Sequence, residues 1–297
     1  MTLVLAKVLI SPLLLVACTF AVQRWGITLG GLLLGLPLIS GPVSILLFAQ
    51  YGSRFAADAA YGTLLGFVAA GVFCACYALL SRTRSWWLSL IAAYVAFMVA
   101  AVVLSFVHLG FGWVIALVLL ALAVLAFAID APEDSTAVTP VPRKRILAMR
   151  MVIAASMVLL MTTSAQFLGA EVSGLLAPLP VLAAIMAASS HRHEGSEAVH
   201  SLLRGTVFGS WGGVAFFSAV VLLVGTVAPA VTYAVAVIAA VLAGTAALRL
   251  QAAARDVDRK AWLARARDDV RRTSPSSAMC SDAVFSVRVL NCTPQVR

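Results

Sequence analysis

Charge is what this sequence lacks. Charged residues occupy 11% of its 297 positions, with 12 Asp and Glu against 21 Lys and Arg, whereas a soluble domain carries about a quarter. A chain so poor in charge cannot clothe a water-facing surface, and a soluble globular fold is excluded on that ground. Strands of alternating polar and apolar residues are missing as well. The apolar runs are Ala, Leu and Val without a period of two, so a lipid-facing β-barrel is excluded. The five cysteines, Cys18, Cys74, Cys76, Cys280 and Cys292, follow neither metal-ligand spacing nor a disulfide framework. No nucleophile with its base, phosphate loop or carboxylate dyad stands at a convincing spacing, so neither an enzyme, a cofactor nor a metal is expected. The net charge of +9 comes without a recognition motif, and its basic residues sit in short loops and a C-terminal segment. Membrane topology accounts for them, and nucleic acid is not an expected partner.

What is present is apolar length. Hydrophobic residues make up 62% of the chain and the mean hydropathy is +1.03. At about 20 apolar residues per crossing, spans are predicted at Leu3 to Val22, Ile27 to Gln50, Ala59 to Leu80, Trp86 to Phe106 and Gly110 to Ile129. A linker with Pro132, Glu133, Asp134, Pro140 and Pro142 then ends in Arg143, Lys144 and Arg145, a composition that cannot continue a span. Further spans are predicted at Leu147 to Thr163, Ala165 to Ala188, Ser201 to Leu223 and Val227 to Leu248. A cytoplasmic C-terminus places Arg24, Arg82, Arg84, Arg143, Lys144, Arg145, Arg150, Arg192 and Arg204 inside and leaves Lys7 and Arg54 outside. The N-terminus is therefore expected outside.

Compared with itself at an offset of 143 residues, the chain matches without gaps at positions that matter structurally: Gln23 with Gln166, Gly26 with Gly169, Gly31 with Gly174, Pro37 with Pro180, Gly52 with Gly195, Gly62 with Gly205, Thr63 with Thr206, Gly66 with Gly209 and Phe73 with Phe216. Lys7 meets Arg150 in the same register. An odd number of spans separates equivalent points, so the second copy crosses in the opposite sense. The expected fold is an all-α integral membrane protein of about nine transmembrane helices, two inverted four-helix repeats joined by a linking helix. The first repeat covers 1–106, the linking helix and cytoplasmic linker 107–145, the second repeat 146–248, and an amphipathic helix with a disordered tail 249–297. Lys7, the run from Val8 to Val16 and Leu15-Val16-Ala17-Cys18 also fit a lipoprotein signal. Against that, the segment from Lys7 has a partner in the second half, which a disposable leader does not need.

The second half, with Gly174-Leu-Leu-Ala-Pro-Leu-Pro180, His191-Arg-His-Glu-Gly195 and Leu203-Arg-Gly-Thr-Val-Phe-Gly209, resembles the small four-helix bacterial inner-membrane proteins of the GlpM type, and the first half looks like a diverged copy. The resemblance implies a four-helix unit fused to an inverted copy of itself, in a bacterial inner membrane. The drug and metabolite transporter group, with two inverted halves of five helices, is the other family of this size, and a count of nine argues against it.

Candidate site residues follow from helix breaks and from charge. Gly35, Pro37, Gly41 and Pro42 interrupt the second span, and Pro178 and Pro180 interrupt its counterpart. Proline removes a donor and frees carbonyls in the preceding turn, and matched breaks in inverted halves point to a carrier's binding site, or else to kinks that serve packing. Glu171 is the acid lying inside a predicted span and so a candidate by default. Lys7 and Arg150 lie near span ends, where they snorkel or meet an anion. His191, His193, Glu194, Glu197 and His200 have spacings that suit a metal but read as a headgroup-facing loop. From Arg249 to Arg272, basic residues around Trp262 and Leu263 suit an amphipathic helix on anionic lipid. The expected function is a secondary transporter or permease for a small solute or lipid-like substrate, with the bilayer as partner and a homo-oligomer allowed. The rival is a non-transporting membrane subunit supporting envelope or polysaccharide biosynthesis.

Overall fold

The structure, a computed structural model, describes Pro37, residues 40–129 and 169–247, and residues 249 and 250. The chain divides into two compact units, Met1–Arg249 and Leu250–Arg297, and all but one of the described residues belong to the first. Its described residues are helical and contain no strand. Seven helices are seen: α1 (Ser40–Ser81), α2 (Trp86–Ser105), α3 (Phe111–Ala128), α4 (Ala170–Leu176), α5 (Val181–His193), α6 (Ser196–Leu223) and α7 (Pro229–Ala247). With α4 and α5 taken together across their break, six helical segments are long and apolar enough to cross a membrane. Of the nine expected spans, Leu3 to Val22 and Leu147 to Thr163, the first parts of Ile27 to Gln50 and of Ala165 to Ala188, and the last residue of Val227 to Leu248 lie outside the described residues.

α1 is too long to be one crossing. Its 42 residues would extend roughly 63 Å at 1.5 Å per residue, about twice the hydrocarbon thickness. Gly52 breaks it, with φ 84° and ψ −177°, a conformation that side chains disfavour and glycine accepts. The segments 40–51 and 53–81 are therefore separate elements. Gly195, between α5 and α6, takes the same conformation, φ 92° and ψ −177°.

The peripheral helices show how the chain meets lipid. In α2 the buried residues are Ser89, Ala93, Phe97 and Ala101, and in α3 they are Val114, Val118, Leu122 and Ala126. Each set is one stripe at a spacing of four. The other faces are no less apolar, with Val95, Val99, Val102 and Val103 on α2 and Leu120, Val124 and Phe127 on α3 exposed. Helices apolar all round and buried on one stripe are solvated by lipid. Segment 53–81 and α6 form the centre instead, their most apolar stretches 78% and 61% buried against 22% for α2 and α3.

Direction follows from the contacts. The 53–81 segment runs alongside α4 and α5 in the same sense: Gly62 lies on the backbone of Glu171 and Leu175, Gly66 on Leu175 and Pro178, and Tyr77 lies 6.0 Å from His191 between ring centroids. It runs against α6, since Ala78 meets His200 while Phe67 meets Gly213 and Phe217. Segment 40–51 packs near the far end of α6, where Gly41 faces Phe216 and Ser44 shares a 3.2 Å hydrogen bond with Tyr233 of α7.

Helix limits differ from the sequence expectation at polar tips. α5 continues through His191, Arg192 and His193 and α6 starts at Ser196, so the expected loop shrinks to Glu194 and Gly195. A helix satisfies its own backbone beyond the apolar zone, and hydropathy alone ends it too early.

Candidate functional site

Two polar regions flank the packed centre. The first is where α4 begins. Gly169, at φ 79°, turns the chain into α4, and Glu171 stands in its first turn. Glu171 is half-exposed, its Oε2 3.8 Å from Nε2 of the exposed His108. Between α4, the end of α2 and segment 53–81 lies a cavity of about 20 Å³, lined by Tyr61, Gly62, Ser105, Glu171 and Leu175 among others. That is room for about one water. The Tyr61 hydroxyl donates to the Leu109 carbonyl at 2.7 Å and accepts from the Leu109 N–H at 3.2 Å, which fixes the loop between α2 and α3 over this cavity.

The second region gathers where segment 53–81 ends. Nε2–H of the buried His200 donates to the Ala78 carbonyl at 2.8 Å, and the Ser81 hydroxyl donates to the same oxygen at 2.7 Å. These donors satisfy the last turn of a helix whose carbonyls have no further intrahelical partner. The Arg192 guanidinium lies 5.3 Å above the Trp86 ring, a cation–π contact. Burial pushes the Glu194 carboxyl above its ordinary range, while the Ser190 hydroxyl and His193 draw it back. Among the described residues, no three of His, Cys, Asp and Glu come together to hold a metal ion.

The sequence-derived candidates fall into separate places. Lys7, Gly35 and Arg150, and the side chain of Pro42, lie outside the described residues. Pro37 is half-buried, and its carbonyl accepts the Gly41 N–H at 2.8 Å. Pro180 is buried, precedes α5 with φ −82° and ψ 55°, and its carbonyl accepts the Ala184 N–H at 2.8 Å. Pro178 presses its ring on Gly66, where an added Cβ would lie 2.9 Å from Cγ and Cδ. Glu171 and Pro178 thus share the Gly62–Gly66 face, whereas Gly41 faces Phe216.

Arg204 was assigned by sequence to the cytoplasmic rim. Because α6 starts at Ser196, Arg204 stands more than two turns inside it, roughly 12 Å along the axis. It is 6% exposed and its Nε has no partner. The signal is legible: Arg204 is the one Arg or Lys in this apolar helix, an ionisable residue within a predicted span like Glu171.

No protein-family model, curated protein or solved structure matches this chain.

Proposed function

We propose that the chain is a membrane carrier, moving a small solute or lipid-like molecule by rocking two inverted halves of about nine helices. The observation that carries this reading is the agreement of backbone detail at an offset of 143 residues. Gly52 and Gly195 share one positive-φ conformation. The Pro37 and Pro180 carbonyls each accept an N–H four residues on at 2.8 Å. Thr63 and Thr206 each donate to the carbonyl four residues back, at 2.8 and 3.0 Å. Segment 53–81 and its counterpart α6 run in opposite directions, with Phe67 packed on Gly213 and Phe217 and Ala78 bonded to His200. Local symmetry of this kind, with opposed direction, supports an inverted repeat with interrupted helices, the architecture of many secondary carriers. The proposal further takes the chain as a GlpM-type unit fused to its inverted copy in a bacterial inner membrane, N-terminus outside and C-terminus inside.

Two experiments test this. Cysteine tags introduced after Gly52 and after Gly195 are expected to label from opposite sides of the membrane; labelling from one side ends the inverted reading. Reconstituted in liposomes, the chain is expected to conduct a small solute or scramble lipid, and silence across both panels refutes the carrier. The second reading, a non-transporting subunit, is favoured by one observation: the break before α5 is packed solidly on Gly62 and Gly66. Co-purification with a biosynthetic complex and no flux is its expected signature.

A further inference from the structure

α6 holds two buried hydrogen-bond donors with no acceptor. Arg204 Nε is one and the indole Nε1 of Trp211 is the other. Residues 204, 208 and 211 recur on one helix face, and the Arg204 guanidinium lies 6.0 Å from the Phe208 ring, the residue between them. Neither group accepts a hydrogen bond, and arginine cannot shed its proton. Among the described residues no carboxylate pairs with Arg204; the 3.8 Å contact of His108 with Glu171 belongs to the other region. Arg204 is 6% exposed, its Nε is buried without a partner and no carboxylate pairs with it, an environment that an adjacent anion would complete. The repeat gives a second indication. Arg204, Gly205 and Phe208 occupy the positions of Tyr61, Gly62 and Leu65, which line the cavity at Glu171, so this stretch of the unit lines a cavity in the other half.

We propose that Arg204, with Trp211 as a second donor, forms an oxyanion-binding half-site, and that the solute carried is a carboxylate or phosphate, free or as a lipid headgroup. The transport part rests on the carrier reading; the binding part does not.

The test uses the purified full chain. Inorganic phosphate or acetate, against chloride at equal ionic strength, is expected to raise the thermal unfolding midpoint saturably by several degrees, because a ligand of the folded state alone stabilises it. Phosphatidylglycerol added to phosphatidylcholine nanodiscs is the second arm. A shift with the soluble ions assigns a free solute, and a shift with phosphatidylglycerol alone assigns a headgroup. Arg204→Met is expected to abolish the shift while remaining at least as stable as wild type without anion, since it removes an unpaired buried charge. Trp211→Phe is expected to weaken anion affinity several-fold. Equal responses in wild type and Arg204→Met, or no response to any of the three probes, overturn the proposal. Anion binding that needs Arg204, without flux in liposomes, removes the carrier and leaves the site.

Discussion

Gly174→Ala is the most direct trial of how this interior is packed. A Cβ on Gly174 would run into the Ala59 carbonyl oxygen and lie 2.9 Å from the Ala59 Cα. The obstacle is backbone, so no rotamer relieves it. Nor can α4 withdraw alone, because Gly62 and Gly66 are pressed on the same strip of α4 and its break. Overpacking costs about 1–3 kcal/mol, and a backbone obstacle belongs at the upper end. Alanine returns up to about 1 kcal/mol of helix propensity, which leaves a net loss of about 2 kcal/mol. Two controls calibrate the number. Gly112, in α3, has nothing within 4 Å of an added Cβ, so Gly112→Ala should be neutral or slightly stabilising. At Gly71 the Cβ would meet Leu125 Cδ1 at 2.8 Å and Leu122 Cδ2 at 3.2 Å, ends of side chains that can turn away, and a loss below about 1 kcal/mol is expected. Unfolding of the three variants in one detergent, followed by helical circular dichroism, should rank them Gly112, Gly71, Gly174 in rising cost. A Gly174→Ala protein as stable as Gly112→Ala would refute the close backbone contact.

Three further outcomes are expected. Gly52→Ala and Gly195→Ala have no atoms within 4 Å to strike, so each should lose about 1–3 kcal/mol through backbone strain alone, and unequal losses would argue against a shared conformation. His200→Ala removes a donor from the Ala78 carbonyl and should cost about 1–2 kcal/mol, with faster amide exchange in residues 78–81; unchanged exchange would show that Ser81 suffices. For Glu194, burial raises the folded carboxyl above its ordinary value of 4.5, so the folded chain keeps a proton the unfolded chain has lost. Stability should fall as pH rises from about 4.5 through the raised value and then level off. Glu194→Gln should flatten that segment of the pH–stability curve, and an identical slope in both proteins would exclude Glu194 as its source.

Helical class and membrane character were legible because they follow from composition: apolar runs of spanning length leave the backbone no other way to satisfy itself in lipid. The glycine and proline positions were legible as punctuation, and Gly52, Pro37, Pro180 and Gly195 do mark breaks or turns. Their purpose was not legible. The roles of Gly62 and Gly174 depend on which helix lies opposite, a tertiary fact with no local signature. Tip lengths were misjudged where polar residues extend a helix beyond its apolar part, as in α5 and α6. The same misjudgement hid Arg204, since a span begun at Ser201 leaves that residue at the rim, and one begun at Ser196 carries it inside.

The distribution of small and polar residues along segment 53–81 and α6 bears on how the halves would move. Where the two elements meet, Ala69, Ala70, Gly212 and Gly213 are all buried, and the Phe67 ring packs directly on Gly213, which leaves little room for a ligand. Away from the crossing the character changes in both directions: toward Tyr61 and Glu171 there is a small cavity, and on the opposite side Arg204 is buried with its Nε unpartnered. On the proposed carrier reading, tight packing of Phe67 on Gly213 between these regions would serve as a fulcrum, because opening one end closes the other while that contact persists. At Gly213 an added Cβ would lie 2.8 Å from Cε1 of Phe67. Gly213→Leu should jam the crossing and abolish flux while leaving Arg204-dependent anion stabilisation in place. Loss of both together would place the anion at the crossing itself and refute the fulcrum.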